Sequence, residues 1–231
     1  MSVPAVTLRA VSKPSALVYV DGFNLYRRAL SGFPDSKWLD IHGLASALLP
    51  DYDVRHVHYF TANLRQGVLV DPQTIVRQQA YLRALRTMPE RVTIYLGKFR
   101  NDTRWMPKHP QEIDPDTGHF VMSHVRKLEE KGTDVNLAIR MTADAALHRA
   151  DLFVLLSNDS DQAGTMRLLK QELHVKTGII FPMSSAKPAK ELVSTAPDVL
   201  ANITAEVVLA NQLPDELQDE NGTVRRPAAW A

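Results

Sequence analysis

Cysteine is absent from the chain. Its absence excludes disulfides, thiolate metal sites and a cysteine nucleophile, and it suits a reducing cytoplasm. A charge excess is missing too: 27 lysines and arginines face 26 carboxylates, for a formal net charge of +1. Any attraction for a polyanion must therefore be local. No apolar run approaches the roughly 20 residues needed to span a bilayer. Residues 1–15, interrupted by Pro4 and Pro14, lack the apolar centre of a signal peptide. The expectation is a cytoplasmic protein with no membrane partner. There is no Gly-x-Gly-x-x-Gly fingerprint and no Walker loop, so a nucleotide cofactor has no support. Internal repeats and low-complexity tracts are missing as well.

What the chain does have is core material. Apolar residues make up 45% of 231, enough for one large domain. The chain divides into an N-terminal extension (1–15), a main domain (16–210) and a C-terminal tail (211–231). The tail is polar and proline-flanked, and is expected to be flexible or draped over the body. Short apolar, β-favouring runs at 16–20, 54–60, 92–96, 152–156 and 175–181 read as strands, several of them buried on both faces. Helices are expected at 25–30, up to Leu49, from Asp71-Pro72 to about Met88, from 133 or 134 to about 148, and at 162–173, 187–193 and 197–208. Asp71 suits an N-cap and Pro72 the first helical position. Strands alternating with helices predict an α/β fold with a parallel sheet covered by helices on both faces. Residues 98–119, broken by Pro107, Pro110 and Pro115, read as a long irregular loop, with a short strand at 120–126.

Three separated places put aspartate at an element boundary. Asp21 ends the first strand, Asp134 opens a helix, and Asp159 with Asp161 follows the run Leu152-Phe153-Val154-Leu155-Leu156. In open parallel sheets, ligands bind outside the carboxyl ends of the strands. Hard divalent cations take oxygen ligands, and carboxylates held close together repel unless a cation or proton intervenes. Each aspartate alone is equally well read as a helix cap or turn residue. Together they favour a metal site able to activate water at a phosphodiester. Asn24 and Asn158 could orient a ligand or satisfy turn backbone. Asp144 lies ten residues beyond Asp134, about 15 Å along a continuous helix, so it reads as structural or as part of a second site.

Other candidates are less specific. His56 and His58 alternate to one face of a strand, but no third histidine has matching spacing. Arg77, Arg83 and Arg86 form either a solvated helix face or a phosphate-contacting stripe. Lys98, Arg100 and Arg104, interleaved with Trp105, suit either single-strand binding by charge and stacking or a surface loop pinned by the tryptophan.

Val20-Asp21-Gly22-Phe23-Asn24, Lys131-Gly132-Thr133-Asp134-Val135 and Ser157-Asn158-Asp159-Ser160-Asp161 resemble, in order and spacing, the three signature blocks of NYN domains, the LabA-like relatives of PIN nucleases. The likeness covers about residues 16–182. Tyr59-Phe60-Thr61-Ala62 and residues 78–85 resemble a bacterial branch of that family. The resemblance implies a PIN-like three-layer sandwich with a mainly parallel central sheet and helices on both faces. It also implies a Mg2+ or Mn2+ site and endoribonuclease activity on RNA. Family roles fall on Asp21, Asp134 and Asp159 as metal ligands, with Asp161 and Asn24 completing the catalytic set. Two positions depart from the pattern. Asn158 stands where many relatives have glycine, and Arg140 stands where relatives often have a further aspartate, which points to at most one well-held ion. The competing readings are a non-catalytic RNA-binding or regulatory module and a small-molecule enzyme using the same acidic pocket.

Overall fold

The computed structural model describes residues 12–64, 71–182 and 187–231. Residues 1–11, most of the expected N-terminal extension, lie outside the described residues. Seven strands form the central sheet: β1 (Ser15–Asp21), β2 (Asp53–Ala62), β3 (Val92–Pro107), β4 (Met122–Lys131), β5 (Leu152–Leu156), β6 (Lys176–Phe181) and β7 (Val199–Asn202), in the order β4-β3-β2-β1-β5-β6-β7. Every pairing is parallel except that of β3 with β4.

The sheet is sandwiched because β1 from Ala16 to Val20 and all of β5 are apolar, and side chains alternate between faces. Leu17, Tyr19, Phe153 and Leu155 pack with Leu137 and Met141 of α4 (Thr133–Ala146) and with Met166 of α5 (Ala163–Arg167). Val18, Val20, Val154 and Leu156 face the other way, onto Leu44 of α2 (Ile41–Leu48) and Leu82 and Leu85 of α3 (Gln73–Leu85). The first helix starts as α1 (Gly22–Leu25) and widens into π-helical turns over Tyr26–Leu30. Two further short α-helices are α6 (Lys190–Val193) and α7 (Ala205–Ala210). The result is the expected mainly parallel three-layer sandwich.

Two expectations need correction. Residues 98–107 are not a loop: β3 runs on to Pro107 and pairs with β4 from Lys98 opposite Lys131 to Pro107 opposite Met122. This arm is solvated over most of its outer length, so it has no apolar period to announce a strand. Its prolines sit at and beyond the pairing limit, where a missing N–H costs nothing. Nor is 197–208 a single helix. Asp198 N donates to Thr177 O at 2.8 Å, which draws the chain onto the sheet edge as β7. Thr204 then caps α7 by accepting from Val207 N at 3.4 Å.

Beyond residue 214 the chain forms a hairpin, β8 (Glu216–Asp219) with β9 (Gly222–Arg225), laid on the α3 side. Trp230 packs tilted against Trp38 at 6.3 Å and edge-on to Tyr81 at 6.5 Å. Trp38 Nε1 donates to Pro214 O at 2.8 Å, and Arg83 grips Asp219 at 2.6 Å.

Candidate metal centre and its cavity

β1 is the central strand from which the chain departs in both directions: β2 lies on one side and β5 on the other. The crevice at such a reversal, outside the carboxyl ends of the strands, is where open α/β sheets bind ligands. Asp21 is the last residue of β1, and Asp159 lies just past the end of the adjacent β5. Asp134 sits in the first turn of α4. One carboxylate oxygen from each of the three lies within 4.8 Å of the others.

Neighbouring backbone fixes these carboxylates. Asp21 Oδ1 accepts from Asn24 N at 2.9 Å and Oδ2 from Ser157 Oγ at 3.0 Å. Ser157 Oγ in turn accepts from Asp159 N at 3.0 Å, so one hydroxyl joins the two strand ends. Asp159 Oδ1 accepts from Asp161 N at 3.1 Å. The capping roles and the clustering are therefore the same geometry, since each capped carboxylate oxygen keeps a second lone pair. Gly22 is required by close approach: a Cβ there would lie 2.7 Å from Tyr59 Cζ and 2.8 Å from Phe60 O.

The electrostatics are those of crowded anions. Burial pushes the Asp21 carboxyl above its ordinary value despite the hydrogen bonds from Asn24 and Ser157 that oppose it, and Asp159 adds repulsion. The Asp134 side chain opens onto the cavity. Even so, partial desolvation there, followed by repulsion from Asp21, Asp159, Glu130 and Asp161, pushes its pKa up to about 6. Three hard oxygen donors crowded in this way, with the Asp21 and Asp134 carboxyls pushed up, fit a divalent cation. A divalent ion there would be held by one oxygen from each of Asp21, Asp134 and Asp159.

Asp161 is exposed and outside this triad, though near enough to act on Asp134. Asn24 Oδ1 accepts from Asn158 N at 3.1 Å, and Asn158 Oδ1 accepts from Ala189 N at 2.7 Å. Asn158, in place of the expected glycine, thus ties the β5 turn to α1 and to the chain leading into α6, and its φ is not positive.

The triad opens into a cavity of about 900 Å3. Phe23, Tyr59, Tyr81, Phe99 and Trp230 contribute aromatic wall, with Phe23 and Phe99 edge to face at 5.6 Å. Of the arginines and lysines singled out from sequence, Arg77 lines this cavity and is paired with Asp71. Arg83 is held by Asp219, and Arg86 lies exposed at the end of α3. Lys98, Arg100 and Arg104 ride on the β3–β4 arm, where Asp102 pairs with both arginines. Trp105 is exposed on that arm and tilted over His124 at 5.0 Å, so it does not pin the arm into the core. Other basic residues of the cavity wall, Arg27, Arg28 and Lys37, were not singled out. Their only signal was an Arg-Arg pair one helical turn after the first block.

The remaining candidates belong to a separate buried network. Asp144 accepts from Tyr19 OH at 2.9 Å, Arg140 Nε at 2.7 Å and Arg149 Nη1 at 2.9 Å. His58 Nε2 lies 3.5 Å from the same carboxylate, and burial first, then the neighbouring His56, lowers the His58 pKa to about 4. His56 is engaged by Glu90 O and Thr93 Oγ1. Both histidines are thus occupied structurally. Arg140 is spent on Asp144.

A family model of the NYN domain matches residues 15–203. The chain belongs to the NYN domain family. Among curated proteins, it is 27% identical over 233 residues to 6-hydroxy-3-succinoylpyridine 3-monooxygenase HspA of Pseudomonas putida (strain DSM 28022 / S16), an alignment covering 92% of this chain and 74% of that protein. Among solved structures, it resembles a protein of unknown function from Vibrio parahaemolyticus RIMD 2210633, with a TM-score of 0.51 and 14% identity over 89% of this chain and all of the other. That likeness extends to the fold alone. The NYN assignment makes a nuclease-like, hydrolase-type domain with a candidate acidic metal site the firm description of the molecule, and among the described residues no helix is long and apolar enough to cross a membrane.

Proposed function

We propose that this NYN protein is a cytoplasmic endoribonuclease that hydrolyses RNA phosphodiester bonds with Mg2+ or Mn2+ held by Asp21, Asp134 and Asp159. The observation that carries this reading is the convergence of three carboxylate oxygens within 4.8 Å at the sheet's reversal point. A bound divalent ion there would supply Lewis acidity and lower the pKa of water. The chain's own residues do the rest. Ser157 holds Asp21 and the Asp159 backbone in register. Asp161, exposed beside the triad, would orient an attacking water. Asn24 keeps its amide N–H2 available while its oxygen fixes the turn after β5.

The test uses labelled RNA with Mn2+ or Mg2+, with and without chelator, alongside Asp21→Asn and Asp159→Asn. Cleavage is expected to require metal and to fall at least about 100-fold in each variant, beyond what loss of a metal's supporting hydrogen bond costs. Cleavage indifferent to chelator and to both substitutions overturns the proposal. Metal-dependent RNA binding without cleavage would instead support the non-catalytic RNA-binding module.

A second reading draws on the relative named as a monooxygenase of a succinoylpyridine. A partly aromatic cavity of about 900 Å3 is roomy enough for a small aromatic acid. Turnover of such acids without RNA cleavage would favour it.

A further inference from the structure

We infer that Arg27, Arg28 and Lys37 form a phosphate-holding rim that receives single-stranded RNA flanking the bond placed at the acidic triad. The inference rests on the ribonuclease reading and deepens it by assigning the residues that bind substrate.

The observations are positional. Asp21, Asp134 and Asp159 line the same cavity as Arg27, Arg28, Lys37 and Arg77. Asp21 closes β1, and the arginines follow on the helix that starts at Gly22. Six residues of helix place Arg27 about 9 Å along the axis from Asp21, so the cationic end of the cavity is offset from the anionic end by one helix segment. The arginines and the triad therefore start from different turns of one wall.

The cations also differ in how far they are already engaged. Arg83, Arg100 and Arg104 each have a carboxylate partner, and Arg77 is paired with Asp71. Arg27, Arg28 and Lys37 have no carboxylate partner among the described residues, and the ammonium of Lys37 instead lies 5.7 Å from the centre of the Tyr26 ring. Glu130, a further acid on the wall, accepts from Thr133 N at 3.0 Å and from Thr133 Oγ1. A chain with a net charge of +1 thus concentrates three uncommitted cations beside its acidic cluster. Uncommitted cations gather phosphates by charge and counterion release, which needs no base readout. Phe23, edge to face with Phe99, and Tyr26 also line the cavity and supply aromatic surface for a base. RNA is favoured over a small carboxylate because three separated cations match a repeating anion better than a single one.

The experiment measures binding of a labelled single-stranded 12-mer RNA to the full chain in chelator, across a salt series. Cleavage is silent there under the metal-dependent reading. Compared are the wild type, the triple variant Arg27→Ala, Arg28→Ala, Lys37→Ala, the charge-keeping variant Arg27→Lys, Arg28→Lys, Lys37→Arg, and Arg167→Ala as an exposed control elsewhere on the surface. Loss of three phosphate contacts is expected to flatten the slope of log affinity against log salt by about 2, at roughly 0.7 per contact for a single strand, and to weaken binding at least tenfold at low salt. The charge-keeping variant should retain the wild-type slope, which a role in folding alone would not predict. A triple variant with wild-type affinity and slope overturns the rim. So does a wild type that binds no RNA but binds a small aromatic acid through these residues. Hydrolysis of bis(p-nitrophenyl) phosphate by the wild type with Mn2+ is read separately. Intact salt-dependent binding without hydrolysis of either substrate supports the rim and sinks only the nuclease reading. Hydrolysis of the small diester without RNA binding sinks the rim alone.

Discussion

Asp134 is the residue on which the charge state of the site turns. Its pKa stands at about 6 against an ordinary 3.8. A carboxyl whose pKa is raised on folding keeps its proton more readily in the folded chain. Its contribution to stability is therefore fully present below about pH 4 and is lost as pH rises through 6. Asp21 is shifted in the same direction, mainly by burial. In metal-free protein, thermal stability relative to Asp134→Asn should fall between pH 4 and 7, with the variant the more stable at neutral pH. Mn2+ should raise the melting temperature of the wild type and leave the variant nearly unmoved. Parallel melting curves for the two proteins across that pH range, with no response to Mn2+, would remove the repulsive cluster from consideration. At Gly22 the constraint is steric. A methyl group would press on Tyr59 and on the Phe60 carbonyl, so Gly22→Ala should cost about 1–3 kcal/mol in a denaturant titration and should misplace Asp21 next to it.

At the scale of elements, α4 is locked to the sheet by a buried ion network as well as by its apolar stripe. Asp144 is fully buried and joins Tyr19 of β1 to Arg140 and Arg149. Asp144→Ala leaves the buried Tyr19 hydroxyl without its acceptor and the partly exposed Arg140 and Arg149 without their anion, and should cost about 1–3 kcal/mol. A urea titration showing less than 1 kcal/mol would mean that Leu137 and Met141 hold the helix unaided. Because Asp134 sits on the same helix, metal affinity should weaken along with stability. The elements legible in the sequence were those whose pattern reports burial. Ala16 to Val20 of β1 and all of β5 are apolar because helices cover both of their faces, and α4 repeats its buried residues at spacings of four. The signature aspartates were legible because each stands where a buried run stops. The outer half of β3 was not, since side chains on a solvated two-stranded arm carry no burial signal and the prolines beyond it imitate a loop. β7 was hidden behind Pro197, which suits a helix start as well as a strand entry. Ser157, linking Asp21 to Asp159, and the placing of Arg27 and Arg28 on the wall of the same cavity depend on contacts between distant segments that no local pattern reports.

Taken whole, the molecule closes its cavity with its own C-terminal segment. The NYN match stops at residue 203, yet Trp230 and Ala229 line the cavity that holds the triad. Trp230 is only 9% exposed and packs with Trp38 and Tyr81, which belong to the helical layer covering the sheet. Arg83 reaches from α3 to Asp219, and Arg226 reaches Asp35 O at 3.1 Å, so the segment is tied down on two sides. A terminal stretch held only by surface pairs would fray, because exposed ion pairs contribute about 0–1 kcal/mol each. A buried tryptophan makes the segment part of the cooperative unit. Trp230→Ala should cost about 3–5 kcal/mol, visible as a lower urea midpoint with an unchanged slope, and Trp230→Phe should recover part of the loss. Hydrogen exchange separates the alternatives. If residues 216–225 exchange at the rate of global unfolding in the wild type and faster than that in Trp230→Ala, the hairpin is anchored through the tryptophan. If they exchange fast in both proteins, the segment is a local appendage, and the cavity wall it supplies opens without unfolding the sheet.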